Sequence, residues 1–130
     1  MEMGQPAAKQ GDQISATDIH LIQPPGPTSP VPVPHPFMGM IDGGLSSDVK
    51  IMGKAAAVQG STATNTPPHV PQGGTFVNPP ANKGTIQLGS MTVMINGKPA
   101  ARNGDVAMTC NDPADLPVGT VIAVGTVLIG

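Results

Sequence analysis

The sequence predicts an all-β domain in which short antiparallel hairpins form three related units that close into a ring with pseudo-threefold symmetry. Three observations predict it. The segments Pro6-Ala7-Ala8-Lys9-Gln10-Gly11-Asp12, Ala55-Ala56-Ala57-Val58-Gln59-Gly60-Ser61 and Pro99-Ala100-Ala101-Arg102-Asn103-Gly104-Asp105 read almost as one, offset by 49 and then 44 residues. Between them, short apolar/polar alternations are bounded by glycine, which marks strands and tight turns; no amphipathic helix of any length is visible. Finally, the two ends of the chain carry complementary halves of the repeating unit.

The best-preserved unit runs from Thr85 to Asp105. Thr85-Ile86-Gln87-Leu88 alternates, Gly89-Ser90 is a two-residue turn, and Met91-Thr92-Val93-Met94-Ile95 resumes the alternation, which predicts a hairpin. Asn96-Gly97 is the dipeptide favoured where both turn residues need positive φ, so a further strand is expected through Lys98 to Arg102. Val121-Ile122-Ala123-Val124, Gly125-Thr126 and Val127-Leu128-Ile129 follow the same grammar, and a degraded copy runs from Ile41 through Gly43-Gly44 to Val49-Lys50-Ile51. Asp112 to Leu116 has room for one helical turn at most, between Pro113 and Pro117. Val127-Leu128-Ile129-Gly130 is the first part of a unit and Gly4-Gln5-Pro6-Ala7-Ala8 is the second. Joined, they complete a third copy, and closure removes free sheet edges.

Pro24 to Pro36 holds seven prolines in thirteen residues. It is expected to be an extended, polyproline-type loop inserted over residues 23–36, either a rigid carrier for His35 or a ligand for an SH3-like module. Pro67-Pro68-His69-Val70-Pro71 is a smaller version.

Length places residues 1–130 in one domain. Leu, Ile, Val and Phe make up about 22 % of the chain, and there is no Trp or Tyr, so the core must be thin. A net charge of −2 does not hold the chain open by repulsion. Domains with thin cores usually need a staple such as a metal or a partner. The polar stretch Met1 to Asp12 is no signal peptide, and Val118 to Gly130, broken by Gly119 and Gly125, is no membrane span. Six Lys and Arg without a concentrated basic patch argue against nucleic-acid binding.

The candidate metal ligands are His20, His35, His69 and Cys110. His20, His69 and Cys110 each follow a copy of the repeat after a short spacer, and His35 is the one remaining histidine. Singly, each histidine reads as a loop residue. As a set in a pseudo-threefold domain, they converge on one axis. Three imidazoles and a thiolate suit tetrahedral zinc, with iron as the alternative, and a site closed by four protein ligands is structural. A zinc hydrolase with Asp105 or Asp112 as base is disfavoured by the fourth soft ligand and by the absence of a HExxH helix. Cys110 paired with a histidine as nucleophile lacks any oxyanion-forming loop. The chain is therefore expected not to be an enzyme.

Pro99-Ala100-Ala101-Arg102, with Val93-Met94-Ile95-Asn96-Gly97-Lys98 before it and Gly104-Asp105 after it, resembles the PAAR-repeat proteins, and matches extend from Pro6 to Gly130. Asn65-Thr66-Pro67-Pro68-His69 and the proline-rich insert are similar to a PAAR-like subfamily of bacterial contractile injection systems. The resemblance implies a short β-cone whose base sits on a trimeric β-helical (VgrG-like) spike, one copy per trimer. The apex would carry one structural zinc held by three His and one Cys, and the cone would serve as a membrane-piercing tip. The alternative role is an adaptor that attaches toxin effectors to the spike, with cargo bound rather than fused. The implied life history is synthesis in the bacterial cytoplasm without a signal peptide, assembly at the tip of the apparatus, and delivery outside the cell or into the target. Type VI secretion, a phage-tail-like particle and a phage spike all remain open. The second copy departs from the signature at Ala55 and Val58 and the first at Lys9, so only Arg102 can serve as its arginine, on turn carbonyls or on Asp105 or Asp112. Met91, Val93, Ile95, Val49, Ile51, Val127 and Ile129 could face either the base or the interior.

Overall fold

The three repeat segments are three tight turns. Each reverses at a glycine, Gly11, Gly60 and Gly104, with φ of 94°, 94° and 90°, a conformation that favours glycine. In the computed structural model, which describes residues 4–130, the turn is braced the same way each time. The backbone N–H of Lys9, Val58 and Arg102 donates to the side chain of Asp12, Ser61 and Asp105 respectively. Lys9 and Arg102 also form ion pairs with Asp12 and Asp105, whereas the second copy pairs neutral Val58 with neutral Ser61. Arg102 further donates to the Gly130 carbonyl, so of the partners expected it takes Asp105 and a backbone oxygen, and Asp112 lies elsewhere.

From each turn the chain enters a barrel hairpin. The hairpins are β2 (Gln13–Gln23) with β3 (Val31–Gly43), β6 (Thr62–Asn65) with β8 (Lys83–Ile86), and β11 (Val106–Thr109) with β12 (Leu116–Ile122). β3 pairs with β6, β8 with β11 and β12 with β2, closing a six-stranded antiparallel barrel. β7 (Thr75–Phe76) adds to the far end of β2 at Ile22 and Gln23. No helix forms among the described residues, and so none is long and apolar enough to cross a membrane. The reading of Met1 to Asp12 as polar leader-free sequence includes Met1–Met3, which lie outside the described residues.

Beneath the barrel stand three two-stranded hairpins. β4 (Lys50–Ile51) pairs β5 (Lys54–Ala55) across Met52-Gly53, and β9 (Met94–Ile95) pairs β10 (Lys98–Pro99) across Asn96-Gly97, with positive φ at all four turn residues. The third joins the two ends of the chain: β13 (Leu128–Ile129) pairs antiparallel with β1 (Gln5–Pro6), Gln5 opposite Ile129. The expected closure of first and last strands is therefore present. At the centre the backbone makes a ring of three hydrogen bonds: Ala8 N–H to Ala101 C=O, Ala101 N–H to Ala57 C=O, and Ala57 N–H to Ala8 C=O, at 2.9, 3.0 and 3.0 Å. All three alanines are fully buried. The first Ala of each pair, Ala7, Ala56 and Ala100, clusters with Ile51, Ile95 and Ile129 in a second, smaller core. These isoleucines are thus interior, while Met52, Met91, Met94 and Leu128 stay exposed.

Three expected hairpins do not form. Gly43-Gly44, Gly89-Ser90 and Gly125-Thr126 are the passages from barrel to ring, and β3, β8 and β12 pair with barrel strands instead. Alternation reports which face of a strand is buried but not which strand lies beside it. Ser90 shapes its passage by accepting the N–H of Thr92 and Val93 on its hydroxyl. The proline-rich stretch is extended as expected, but only 24–30 is a loop; from Val31 it is the edge-tolerant half of β3. Met38 N–H points away from β2 to the Asn65 side chain, so the even positions Pro32, Pro34 and Pro36 have their nitrogens on that same outward edge. There β6 does not reach, and no ladder bond is lost.

Ile41, Ile86 and Val121 contribute to the barrel core from all three sectors, but the next layer is filled from one. Equivalent positions hold Ile14, Ala63 and Ala107 on the first strands and Gly39, Gly84 and Gly119 on the second. Phe37 and Ile14 occupy the space those small residues leave: a Cβ on Gly84 would lie 3.3 Å from the Phe37 ring and one on Gly119 3.1 Å from Ile14. A Cβ on Gly39 would sit 2.7 Å from Phe37 Cε1. Gly39→Ala is expected to cost about 1–3 kcal/mol by overpacking. In a urea-unfolding double-mutant cycle, that penalty should shrink in a Phe37→Leu background; an undiminished penalty would show that the ring is not what Gly39 accommodates.

Candidate metal centre

β2 and β3 run past the barrel body to its far end, and their inward faces change character there. On β2 the inward residues are Ile14, Ala16, Asp18, His20 and Ile22; on β3 they are His35, Phe37, Gly39 and Ile41. The register sets Asp18 opposite His35. The other two candidates arrive on the loops that follow β6 and β11. The His69 N–H donates to Asn82 Oδ1 at 2.8 Å, and the Asn65 amide ties Asn82, His69 Nδ1 and the Met38 N–H together. Cys110 is fixed by its neighbours: Ile19 N–H donates to Asn111 Oδ1 (2.6 Å), Leu21 N–H to Asp112 Oδ2 (2.8 Å), and Asp112 N–H to the Ile19 carbonyl. This loop thus acts as a strand mimic on the edge of β2 between β12 and β7.

Asp18, His20, His69 and Cys110 each offer one donor atom, all within 4.8 Å of one another and all buried. Cys110 Sγ lies 3.3 Å from Asp18 Oδ2 and 3.7 Å from His20 Nε2, and His69 Nε2 lies 2.8 Å from the same carboxylate oxygen. The three imidazoles face one another with centroids 5.0–5.5 Å apart. Phe76 of β7 closes over His20 and His35 at 5.8 and 5.5 Å, and Phe37 lies below His69 at 6.1 Å. Burial lowers the pKa of His20 against the opposing pull of Asp112, so the neutral imidazole is favoured. Burial, reinforced by Asp18, pushes the Cys110 thiol up to about 11. A metal must displace that proton to gain the thiolate.

The donors fit a metal ion on two structural grounds. His35 Nδ1 lies 2.9 Å from the Val33 carbonyl, which can only accept, so the proton sits on Nδ1 and Nε2 keeps a free lone pair. That Nε2 is buried with no hydrogen-bond partner, and His20 Nδ1 is likewise buried and unsatisfied, 3.5 Å from Asp112 Oδ2. Buried imidazole nitrogens are ordinarily paired, and metal-binding histidines commonly have a carbonyl or carboxylate on the opposite nitrogen.

The structure therefore brings together His20, His69 and Cys110 and places His35 beside them, its ring equidistant from His20 and His69 at 5.5 Å. Asp18 is the residue that sequence reasoning missed. Its signal was phase: an aspartate on the apolar, inward face of a strand, two residues before a candidate ligand. The Asn65-Thr66-Pro67-Pro68-His69 run and Cys110-Asn111-Asp112-Pro113 both carry a cis prolyl bond and occupy equivalent places after their strands.

No curated protein matches the chain. A family model described as the PAAR motif matches residues 35–114 and again 78–130. Together the two matches span most of the sequence, including two of the three repeat turns, His35, His69 and Cys110. With the third turn supplied by Pro6 to Asp12 in the same geometry, the chain belongs to the PAAR-motif family.

Proposed function

We propose that this chain is the membrane-piercing tip that caps the trimeric spike of a contractile injection system, stiffened by one structural zinc ion held by His20, His35, His69 and Cys110. The observation that carries the reading is polarity along one pseudo-threefold axis. The repeat turns and the three small hairpins lie at the start of β2, β6 and β11, whereas His20 lies in the second half of β2 and His69 and Cys110 lie beyond the ends of β6 and β11. Three quasi-equivalent hairpins on one chain offer a strictly threefold partner nearly the same contact three times. At the opposite end few residues remain to make a core, and a metal cross-link supplies rigidity that packing cannot. A set of three imidazoles and a thiolate leaves no open position for water or substrate, which favours a structural ion and a protein that is not an enzyme.

Co-expression with candidate trimeric spike proteins tests the assignment. The expected product is a complex with one copy of this chain per spike trimer, read by native mass spectrometry. A metal-loaded chain that binds no spike trimer would count against the tip role.

A further inference from the structure

We infer that Asp18 is the charge-balancing carboxylate of the metal centre and that it biases the site towards a divalent ion over a monovalent soft one. The inference rests on the reading that a metal is held at this site. Asp18 is completely buried, and its contacts are neutral donors or histidine: the Thr109 hydroxyl on Oδ1 at 2.5 Å, and Cys110 Sγ and His69 Nε2 on Oδ2. His69 is its one ion-pair candidate among the described residues. The ion pairs made by lysine or arginine lie in the repeat turns at the other end of the barrel. A buried carboxylate without a cation is costly, and hydrogen bonds offset only part of that cost.

A metal changes the balance. A divalent ion with one thiolate and neutral imidazoles carries a net charge of +1, and the Asp18 carboxylate brings the buried cluster to zero. A monovalent ion such as Cu(I), which thiolate and imidazole ligands also suit, is already neutralised by Cys110, so Asp18 would leave the cluster at −1. The carboxylate thus favours zinc against copper(I) through charge, whether or not it touches the ion. Its side chain is placed for this: Thr109, the residue before Cys110, holds Oδ1 and turns Oδ2 towards the donors.

The test is Asp18→Asn in the full chain, which keeps shape and loses charge. Zinc and Cu(I) affinities are measured by chelator competition, beside the thermal stability of the metal-free protein. Zinc affinity is expected to fall about 10–100-fold, the range for changes next to a metal site, while Cu(I) affinity holds or rises. Metal-free Asp18→Asn should be at least as stable as the metal-free parent, because an uncompensated buried charge has gone. An unchanged ratio in Asp18→Asn, or a metal-free Asp18→Asn that is destabilised or unfolded, would overturn the inference and make Asp18 a structural hydrogen-bond hub. If the parent chain binds neither ion, it is the metal reading itself that fails.

Discussion

Cys110→Ser is expected to empty the metal centre and lower the melting temperature by about 10–20 °C, given how strongly several kcal/mol shift the midpoint of a domain of this size. Serine is close in size to cysteine, so the packing of the buried 110 side chain changes little. What changes is the ligand, since a neutral hydroxyl does not replace a thiolate on a soft or borderline ion. Structural zinc contributes on the order of ten kcal/mol in small domains, comparable to the whole net stability of an ordinary one. Here the conventional core is small: its largest buried side chains are Phe37 and a few isoleucines. Zinc content by elemental analysis should fall to near zero, and a chelator applied to the parent should reproduce the loss of stability. A mutant that keeps its zinc would remove Cys110 from the ligand set.

Opening the ring is the second large perturbation. Deleting Val127–Gly130 removes β13 and the buried Ile129, along with the bond from Ala7 N–H to the Val127 carbonyl. The Gly130 carbonyl, which accepts from Ser90 Oγ and Arg102 Nη1, is lost as well. Burying one isoleucine stabilises by about 1.5–3 kcal/mol, and each hydrogen bond by about 0.5–1.5 kcal/mol. With three such bonds the sum is about 3–7.5 kcal/mol, enough to unfold a marginal domain. Chemical denaturation of the truncated chain should show no cooperative transition, or one at much lower denaturant. A circular permutant supplies the converse: Gly130 linked to Gln5 by a short turn, with new termini between Asn96 and Gly97, should fold with the parental far-UV spectrum. A truncated chain of unchanged stability would mean that the end strands are decoration.

The threefold plan was legible because it is written three times. Gly11, Gly60 and Gly104 announce identical turns, and Asn96-Gly97 announces its hairpin through backbone conformation alone. Strand partners were less legible. Thr85 to Leu88 and Met91 to Ile95 both alternate correctly, yet they belong to barrel and ring respectively, because pairing over distance depends on closure rather than on local period. Prolines in β3 concealed a strand for the same reason: the free edge that tolerates them exists only in the assembled barrel. Three of the candidate ligands could be read from their place after the repeat. Asp18 left only the signal of its phase on the inward face of β2; that its carboxylate has no lysine or arginine ion pair among the described residues shows only in the packed interior.

The ring of Ala8, Ala57 and Ala101 also dictates when the domain can form. Each of its bonds joins residues at least 44 positions apart, and none can be made by a local segment. High contact order slows folding and pushes closure late. During synthesis the amino-terminal segment emerges first but has no partner strand until Leu128 and Ile129 have left the ribosome. The domain should accordingly close only once β13 is available to β1, in a single cooperative step with no stable two-sector intermediate.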